Sequence, residues 1–240
     1  MGLFDKKNCD FCGNKIGLLG NRKLSDGNMC KDCAKGISPY LVGRKQYSVD
    51  DMKRHLEYRE ANKERLEKFS PTRTFGLNTK VHVDDNMGCL LITSARNYRE
   101  ENADLIEFPQ VTGCILDINE DRDEIKRKTA DGKEESYNPP RYRYEYAFWI
   151  TVHTNHPWFD QIKFRVNPQN VRERGSVEYR DTERQANDMR DALQNLHTQV
   201  RESAAEAAKP KTSMICPSCG ATTIPDQSGR CEYCSAAVGG

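Results

Sequence analysis

Long apolar runs are missing from this 240-residue sequence. No stretch approaches the roughly 18 apolar residues that a membrane-spanning helix needs. The opening Met1-Gly-Leu-Phe-Asp-Lys-Lys is charged within five residues and lacks the apolar region of a secretion signal. Hydrophobic residues make up 36% of the chain and the mean hydropathy is −0.85, which is low for one large domain. We therefore expect a cytoplasmic protein of two or three modest units, with no transmembrane segment.

Motifs for catalysis are also missing. There is no phosphate-binding glycine loop and no G-x-S-x-G elbow. The five histidines, His55, His82, His153, His156 and His197, show no metal-binding spacing. Only His153 and His156, which flank a predicted turn at Pro157, form a pair worth considering. We therefore predict that the protein is not an enzyme. A catalytic site assembled at the mouth of a β domain is the alternative.

Cysteine, in contrast, is abundant. Eight of the ten cysteines fall in four C-x-x-C pairs, and in a reducing cytoplasm such pairs favour zinc over disulfides. A C-x-x-C turn offers two sulfurs to a tetrahedral Zn²⁺ and stabilises their charge with backbone N–H groups. We predict two structural Zn²⁺ ions, one held by Cys9, Cys12, Cys30 and Cys33 and one held by Cys216, Cys219, Cys231 and Cys234. Cys89 and Cys114 lie in apolar runs and are predicted core thiols, not ligands.

Residues 1–45 are the predicted N-terminal zinc module. Seventeen residues separate its two cysteine pairs, Leu18, Leu19 and Leu24 are expected in a hairpin between them, and a short helix is expected at Cys33. This arrangement resembles a treble clef, with a spacing similar to GATA-type fingers, but the DNA-reading tail of that family is not recognisable. Nine Lys and Arg against four Asp give the module a net charge of +5. This charge suits a solvated surface around four thiolates, and phosphate contact is the alternative.

Residues 46–72 are predicted to form a charged linker helix on the surface. Ser48 is the expected N-cap and Asp51 completes a capping box, while Pro71 follows the predicted end near Phe69. Six acidic residues balance six basic ones over residues 46–69. The apolar stripe is narrow and consists of Met52, Leu56, Leu66 and Phe69. A partner-binding role for the helix is the alternative.

Residues 73–208 are predicted to form a mostly antiparallel β domain with a C-terminal helix. The expected strands are 79–84, 88–94, 105–108, 111–119, 124–128, 133–137, 142–154 and 161–167. A hairpin turn is expected at Ala130-Asp-Gly-Lys. One face of the longest strand is expected to fill the core with Tyr142, Tyr144, Tyr146, Phe148, Ile150 and Val152. The aromatic run that begins at Arg141, with Trp149 and Trp158, has base stacking or peptide binding as its alternative use.

The helix is expected over residues 182–208, before Pro210, with one apolar seam. The seam consists of Ala186, Met189, Leu193, Leu196 and Val200. Five to seven strands followed by one amphipathic helix resemble a pleckstrin-homology-like (PH-like) or GRAM-like barrel, in which the helix plugs an open end. A dimeric coiled coil through the same seam is the alternative.

Residues 209–240 are predicted to hold a linker and a C-terminal zinc module, which resembles the short zinc ribbons of bacterial proteins. The opening residues together with Cys9-Asp-Phe-Cys12-Gly-Asn-Lys-Ile-Gly-Leu-Leu-Gly resemble an uncharacterised bacterial family with an N-terminal four-cysteine domain of unknown function, often followed by a PH-like region. The predicted fold class is thus α+β multidomain. We expect a scaffold or adaptor that binds a protein or a membrane-associated partner, and peripheral membrane contact is one alternative. A nucleic-acid-binding regulator that uses the two zinc modules is the alternative.

Overall fold

The computed structural model describes residues 7–17, 19–208, 213–226 and 229–238, with the backbone alone at 197 and 199–208. Predictions that concern residues 1–6, Leu18, residues 209–212 and the side chain of Val200 lie outside this described part. The chain divides into two compact units, Met1–His197 and Thr198–Gly240. The predicted boundaries near residues 45 and 72 both fall inside the first unit.

Two long helices and eleven strands make up the described chain. The helices are α1 (Val49–Lys68) and α2 (Val177–Ala208). The strands are β1 (Arg22–Lys23), β2 (Asn28–Met29), β3 (Arg73–Phe75), β4 (Lys80–Asp84), β5 (Cys89–Thr93), β6 (Ile106–Glu107), β7 (Val111–Lys128), β8 (Glu134–His156), β9 (Phe159–Arg165), β10 (Met214–Ile215) and β11 (Thr222–Thr223). They form two two-stranded sheets, β1-β2 and β10-β11, a four-stranded sheet β3-β4-β5-β6 and a three-stranded sheet β7-β8-β9. All pairings are antiparallel.

The long hairpin of β7 and β8 replaces four predicted strands. The predicted strands left a break at residues 120–123, but the ribbon is paired there, and Arg122 lies 4.6 Å over the Tyr142 ring. The two prolines after Asn138 lie in a bulge of β8. Lys126 pairs with Ser136, but the preceding residue, Ile125, pairs with Arg141, so residues 137–140 are left out of the ladder. The predicted turn near Gly132 is confirmed, with Gly132 in the left-handed region at φ +77.

The core lies between the four-stranded and three-stranded sheets. Val83, Leu90 and Ile106 of the first sheet meet Phe148 and Ile150 of the second in one buried cluster. The prediction that Tyr142 also fills this core was wrong, because Tyr142 is 39% exposed, whereas Tyr144 is half-buried and packs against the cluster.

The predicted closed barrel does not form. Among the described residues no strand ladder joins the two large sheets. The four-stranded sheet ends at the two-residue β6, and a 3₁₀ turn at Phe108–Gln110 separates β6 from β7. The chain thus passes from one sheet to the other without continuing the ladder, and the side chains of the two sheets pack together in one cluster.

Helix α1 is not a surface linker. Its capping box at Ser48 and Asp51 is confirmed. One face of the helix is buried and carries Met52, His55, Arg59, Asn62 and Leu66. These positions alternate in steps of three and four, so they share one side of the helix. Three of the five are polar, so the apolar residues of the sequence alone did not reveal this buried face. Leu66 packs with Cys89, Leu91 and Leu105 on the outer face of the four-stranded sheet.

Helix α2 closes the core of the first unit. It begins five residues earlier than predicted, where the Ser176 Oγ accepts a hydrogen bond from the Tyr179 N–H at 3.0 Å. The seam members Ala186, Met189, Leu193 and Leu196 are all buried in the cluster between the two large sheets, and Tyr179 joins them. These contacts support the plug and leave no seam free along the described side chains.

Candidate metal centres

The N-terminal cysteines converge on one point. All four Sγ atoms of Cys9, Cys12, Cys30 and Cys33 lie within 4.8 Å of one another. The Sγ atoms of Cys9 and Cys33 are 3.8 Å apart, as are those of Cys12 and Cys30. A tetrahedral ion with metal–sulfur bonds of about 2.3 Å requires sulfur–sulfur edges of about 3.8 Å. A disulfide would bring two sulfurs to about 2.05 Å, and all ten cysteines are free thiols.

Tight backbone turns place these sulfurs. The Gly13 N–H donates to the Cys9 carbonyl at 2.8 Å, and Gly13 takes φ +72, a conformation that favours glycine. The β1-β2 hairpin delivers the second pair, and the predicted short helix is a 3₁₀ turn, Cys33–Gly36. The Cys30 N–H donates to the Cys9 Sγ and the Cys33 N–H donates to the Cys30 Sγ, both at 3.3 Å. Backbone amides thus face the thiolates, as the C-x-x-C pattern predicts.

The protonation of these thiols reflects their crowding. Burial opposes ionisation of Cys9, but amide hydrogen bonds from Cys30, Cys12 and Phe11 outweigh it and lower its pKa to about 6. Burial and hydrogen bonds with Cys30, Cys12 and Cys9 raise the pKa of Cys33. Four sulfurs in so small a volume cannot all carry charge without a cation among them. The donor set therefore fits Zn²⁺, which prefers thiolates in a tetrahedron.

The C-terminal cysteines form an equivalent group in the second unit. The Sγ atoms of Cys216 and Cys234 are 3.6 Å apart and those of Cys219 and Cys231 are 3.8 Å apart. All four Sγ atoms lie within 4.8 Å of one another. Cys216 and Cys219 lie in the turn between β10 and β11, and Val238 packs with Cys216 and Cys231 in a small buried cluster.

The backbone of this second group repeats the pattern of the first. The Gly220 N–H donates to the Cys216 carbonyl, and the Ser235 N–H donates to the Cys231 carbonyl, both at 2.8 Å. Burial opposes ionisation of Cys231, but the amides of Cys234 and Tyr233 outweigh it and lower its pKa to about 6. Two four-cysteine groups that could each bind zinc are therefore present, as the sequence predicts.

The remaining candidates lie away from both groups. Cys89 and Cys114 are buried in the β domain, and burial raises their pKa values to about 11 and about 12. His156 does not meet a carboxylate, since its Nε2 lies 2.9 Å from the Tyr58 Oη and its Nδ1 accepts from the Trp158 N–H at 3.3 Å. His153 is half-buried on β8. The structure does not bring the two histidines together as a site.

A buried polar network beside the N-terminal module was missed from the sequence. Arg59 and Asp104 pair at its centre, with 2.5 Å between Nη1 and Oδ1. The Ser38 Oγ donates to Asp104 at 2.7 Å, and the Ser38 N–H donates to the His55 Nε2 at 3.0 Å. Asn62 extends the network along α1. The three-and-four spacing of polar His55, Arg59 and Asn62 between apolar Met52 and Leu66 was the available signal.

This network joins three parts of the first unit. Ser38 and Gly36 belong to the zinc module, His55 and Arg59 belong to α1, and Asp104 precedes β6. Tyr40 of the module also donates its hydroxyl to the Ile92 carbonyl of β5 at 2.7 Å. The module, the helix and the sheets are therefore fixed to one another by directional hydrogen bonds as well as by apolar contact.

These features define a protein with two candidate zinc modules and a mixed helix and sheet domain. Residues 7–55 match a family described as a domain of unknown function, DUF4428. The matched segment contains the first four-cysteine group and ends inside α1, so about a fifth of the chain is covered. The match agrees with the resemblance inferred for the N-terminal cysteines.

The comparisons with curated proteins and with solved structures each gave no match. In the described part of the chain, no helix is both long enough and apolar enough to cross a membrane.

Proposed function

We propose that this protein is a non-catalytic adaptor in which two structural Zn²⁺ ions stabilise a frame that recognises a protein partner. The closed character of both four-cysteine groups carries this proposal. Each group supplies four sulfurs within 4.8 Å of one another. A catalytic zinc ion keeps a position open for water or substrate, whereas a structural one is surrounded by protein ligands. A Zn²⁺ ion held by Cys9, Cys12, Cys30 and Cys33, or by Cys216, Cys219, Cys231 and Cys234, therefore has a structural role.

The β domain is the proposed recognition element. Seven antiparallel strands in sheets of four and three, followed by the packed helix α2, support a PH-like arrangement of an open kind. The outer strands of such sheets leave backbone groups available for a partner chain. The first zinc module is fixed to the β domain, because the Ser38 hydroxyl donates to Asp104 and the Tyr40 hydroxyl donates to the Ile92 carbonyl.

Affinity purification from the source cell tests the proposal. The tagged full chain, treated with nuclease, should retain specific proteins at about 0.15 M salt, and a Cys30→Ser variant should retain less of them. Cys30→Ser removes one ligand of the first group, and Cys89→Ala, at a buried non-ligand cysteine, is its control. Retention of nucleic acid instead, lost as salt rises, would replace the adaptor function with the nucleic-acid alternative. Zinc analysis on the same samples checks that the control keeps both ions.

A further inference from the structure

A cleft opens where strands β5 and β6 part. Its volume is about 510 Å³, within the range of about 300–1,000 Å³ that is usual for ligand sites. One wall is the end of β5 with the residues that follow, Ile92–Ala95, and the opposite wall is the segment 101–104. Tyr40 of the zinc module and Arg59 of α1 also line it. The cleft thus lies at the junction of the three parts that the buried network joins.

The hydrogen-bonding direction of β5 can be followed residue by residue. The Phe108 N–H donates to the Gly88 carbonyl at 2.9 Å, so these two opposite residues form a hydrogen-bonded pair. In an antiparallel ladder every second pair is of this type. Leu90, which faces Ile106, is the next such position, and Ile92 is the one after. The backbone N–H and C=O of Ile92 therefore point away from β4 and toward the cleft.

Segment 101–104 does not continue the ladder, and Asn62 of α1 binds the backbone groups of this segment that point away from β5. The Asn62 side chain accepts from the Leu105 N–H at 3.1 Å and donates to the Ala103 carbonyl at 2.8 Å. The pairing of β5 with β6 ends at Leu90 and Ile106. The Ile92 N–H lies beyond the end of this ladder, and among the described residues it donates no backbone hydrogen bond to a loop or turn.

Tyr40 takes the place of one donor of the missing strand. Its hydroxyl donates to the Ile92 carbonyl at 2.7 Å, where a paired strand would supply an N–H. The corresponding acceptor for the Ile92 N–H is the group that an incoming chain would bring. Half of a β-bridge is therefore already formed inside the protein.

Arg59 offers a second donor in the same cleft. Its Nε donates to the Gly36 carbonyl and its Nη1 to Asp104, while its Nη2 has no hydrogen-bond partner among the described residues. This nitrogen is not fully buried, so it is accessible from the cleft that Arg59 lines. The lining charges balance, since Lys35 and Arg59 face Glu101 and Asp104. A neutral acceptor such as a peptide carbonyl suits this balance better than a phosphate does.

We propose that this cleft binds an extended peptide segment of a protein partner, which inserts beside the end of β5 and accepts hydrogen bonds from the Ile92 N–H and the Arg59 Nη2. This inference rests on the proposed adaptor function and gives it a site. Main-chain pairing at an unfilled strand edge is an established mode of peptide recognition. These two donors would bind the backbone of the peptide, and the walls of the cleft would contact its side chains.

The test uses a phage-displayed library of random 12-residue peptides against the immobilised, zinc-loaded full chain. Enriched peptides, made synthetically, should shift the Ile92 amide proton downfield in NMR spectra, because that proton gains an acceptor. Ser94→Trp, at an exposed position on the cleft wall, should weaken binding at least tenfold. Ser136→Trp, at an exposed position on β8, is the matched control and should bind as the wild type does. Circular dichroism confirms that both variants are folded.

Three outcomes would overturn the assignment. Peptides that bind Ser94→Trp as tightly as the wild type would place the site elsewhere, and the adaptor function would stand. Failure to enrich any peptide would remove the peptide site, whereas the affinity purification would still judge the function. If inorganic phosphate alone shifted the Ile92 amide and displaced the selected peptides, the cleft would be an anion site.

Discussion

Arg59 and Asp104 form a buried ion pair, with side-chain exposures of 4% and 0%. The Nη1–Oδ1 distance is 2.5 Å, and the carboxylate also accepts from the Ser38 hydroxyl. Removing one member leaves the other charged and buried without its partner, which costs more than the pair itself contributes. This asymmetry makes the pair a sensitive probe of how the first unit is held together.

Arg59→Met should therefore destabilise the first unit by about 3–5 kcal/mol. The double variant Arg59→Met with Asp104→Leu should lose less, because no charge is then left buried. Lys53→Met is the control, since Lys53 and Asp50 form a surface pair whose loss should cost less than about 1 kcal/mol. Urea unfolding of the three variants gives the comparison. Equal losses for the single and double variants would show that unpaired charge is not the cause.

Metal removal tests both four-cysteine groups. Elemental analysis of the purified protein should find two zinc ions per chain, with Cys30→Ser and Cys219→Ser each keeping about one. Cys89→Ala should keep two, because Cys89 lies in the core. Loss of the first ion should also lower the stability of the β domain, since Ser38 and Tyr40 link the module to it. Intact disulfides by mass spectrometry under non-reducing conditions would contradict the metal assignment.

Local signals in the sequence were sufficient for much of this structure. The four C-x-x-C pairs, the capping box at Ser48 and the turn at Gly132 depend on neighbours a few residues away, and all were predicted. The burial of α1 was not predicted, because Arg59 finds its partner 45 residues later in the chain. The position of the segment before β6 was not predicted either, because Asn62 bonds to residues 41 and 43 positions away. Such long-range polar pairs leave no periodic apolar signal.

Acidification should weaken the first unit through two buried histidines. Burial lowers the pKa of His55 and of His156 to about 4, with Arg59 and Arg65 respectively adding to the effect. Between about pH 4 and its ordinary pKa of about 6.5, each histidine binds a proton in the unfolded chain but not in the folded one. Stability is thus complete above about pH 6.5 and falls as the pH drops toward 4, by up to about 1.4 kcal/mol per pH unit for each histidine.

The variant His156→Gln isolates one of these protons. The glutamine amide can still donate to the Tyr58 hydroxyl. Between pH 6.5 and 4 the free energy of unfolding should fall less steeply, because about one proton fewer is bound on unfolding. Asn155→Gln, at the exposed neighbouring position, should keep the slope of the wild type. Protonation of the cysteines affects all three proteins alike, so it cancels in the comparison of urea unfolding at each pH. An unchanged slope for His156→Gln would refute the assignment.

A substitution at Leu193 tests whether helix α2 plugs the β domain or forms a dimer through its apolar seam. Its side chain is 0% exposed in the cluster that also contains Phe148, Ile150 and Met189. Leu193→Asp would place an unpaired carboxylate there, at a cost of several kcal/mol. We expect the β domain to unfold, with loss of the strand signal in circular dichroism. Asn195→Asp adds the same charge at an exposed position of the same helix and should leave the fold intact. If light scattering showed a wild-type dimer that Leu193→Asp converts to a folded monomer, α2 would be a dimer helix and the packing described for the core would be wrong.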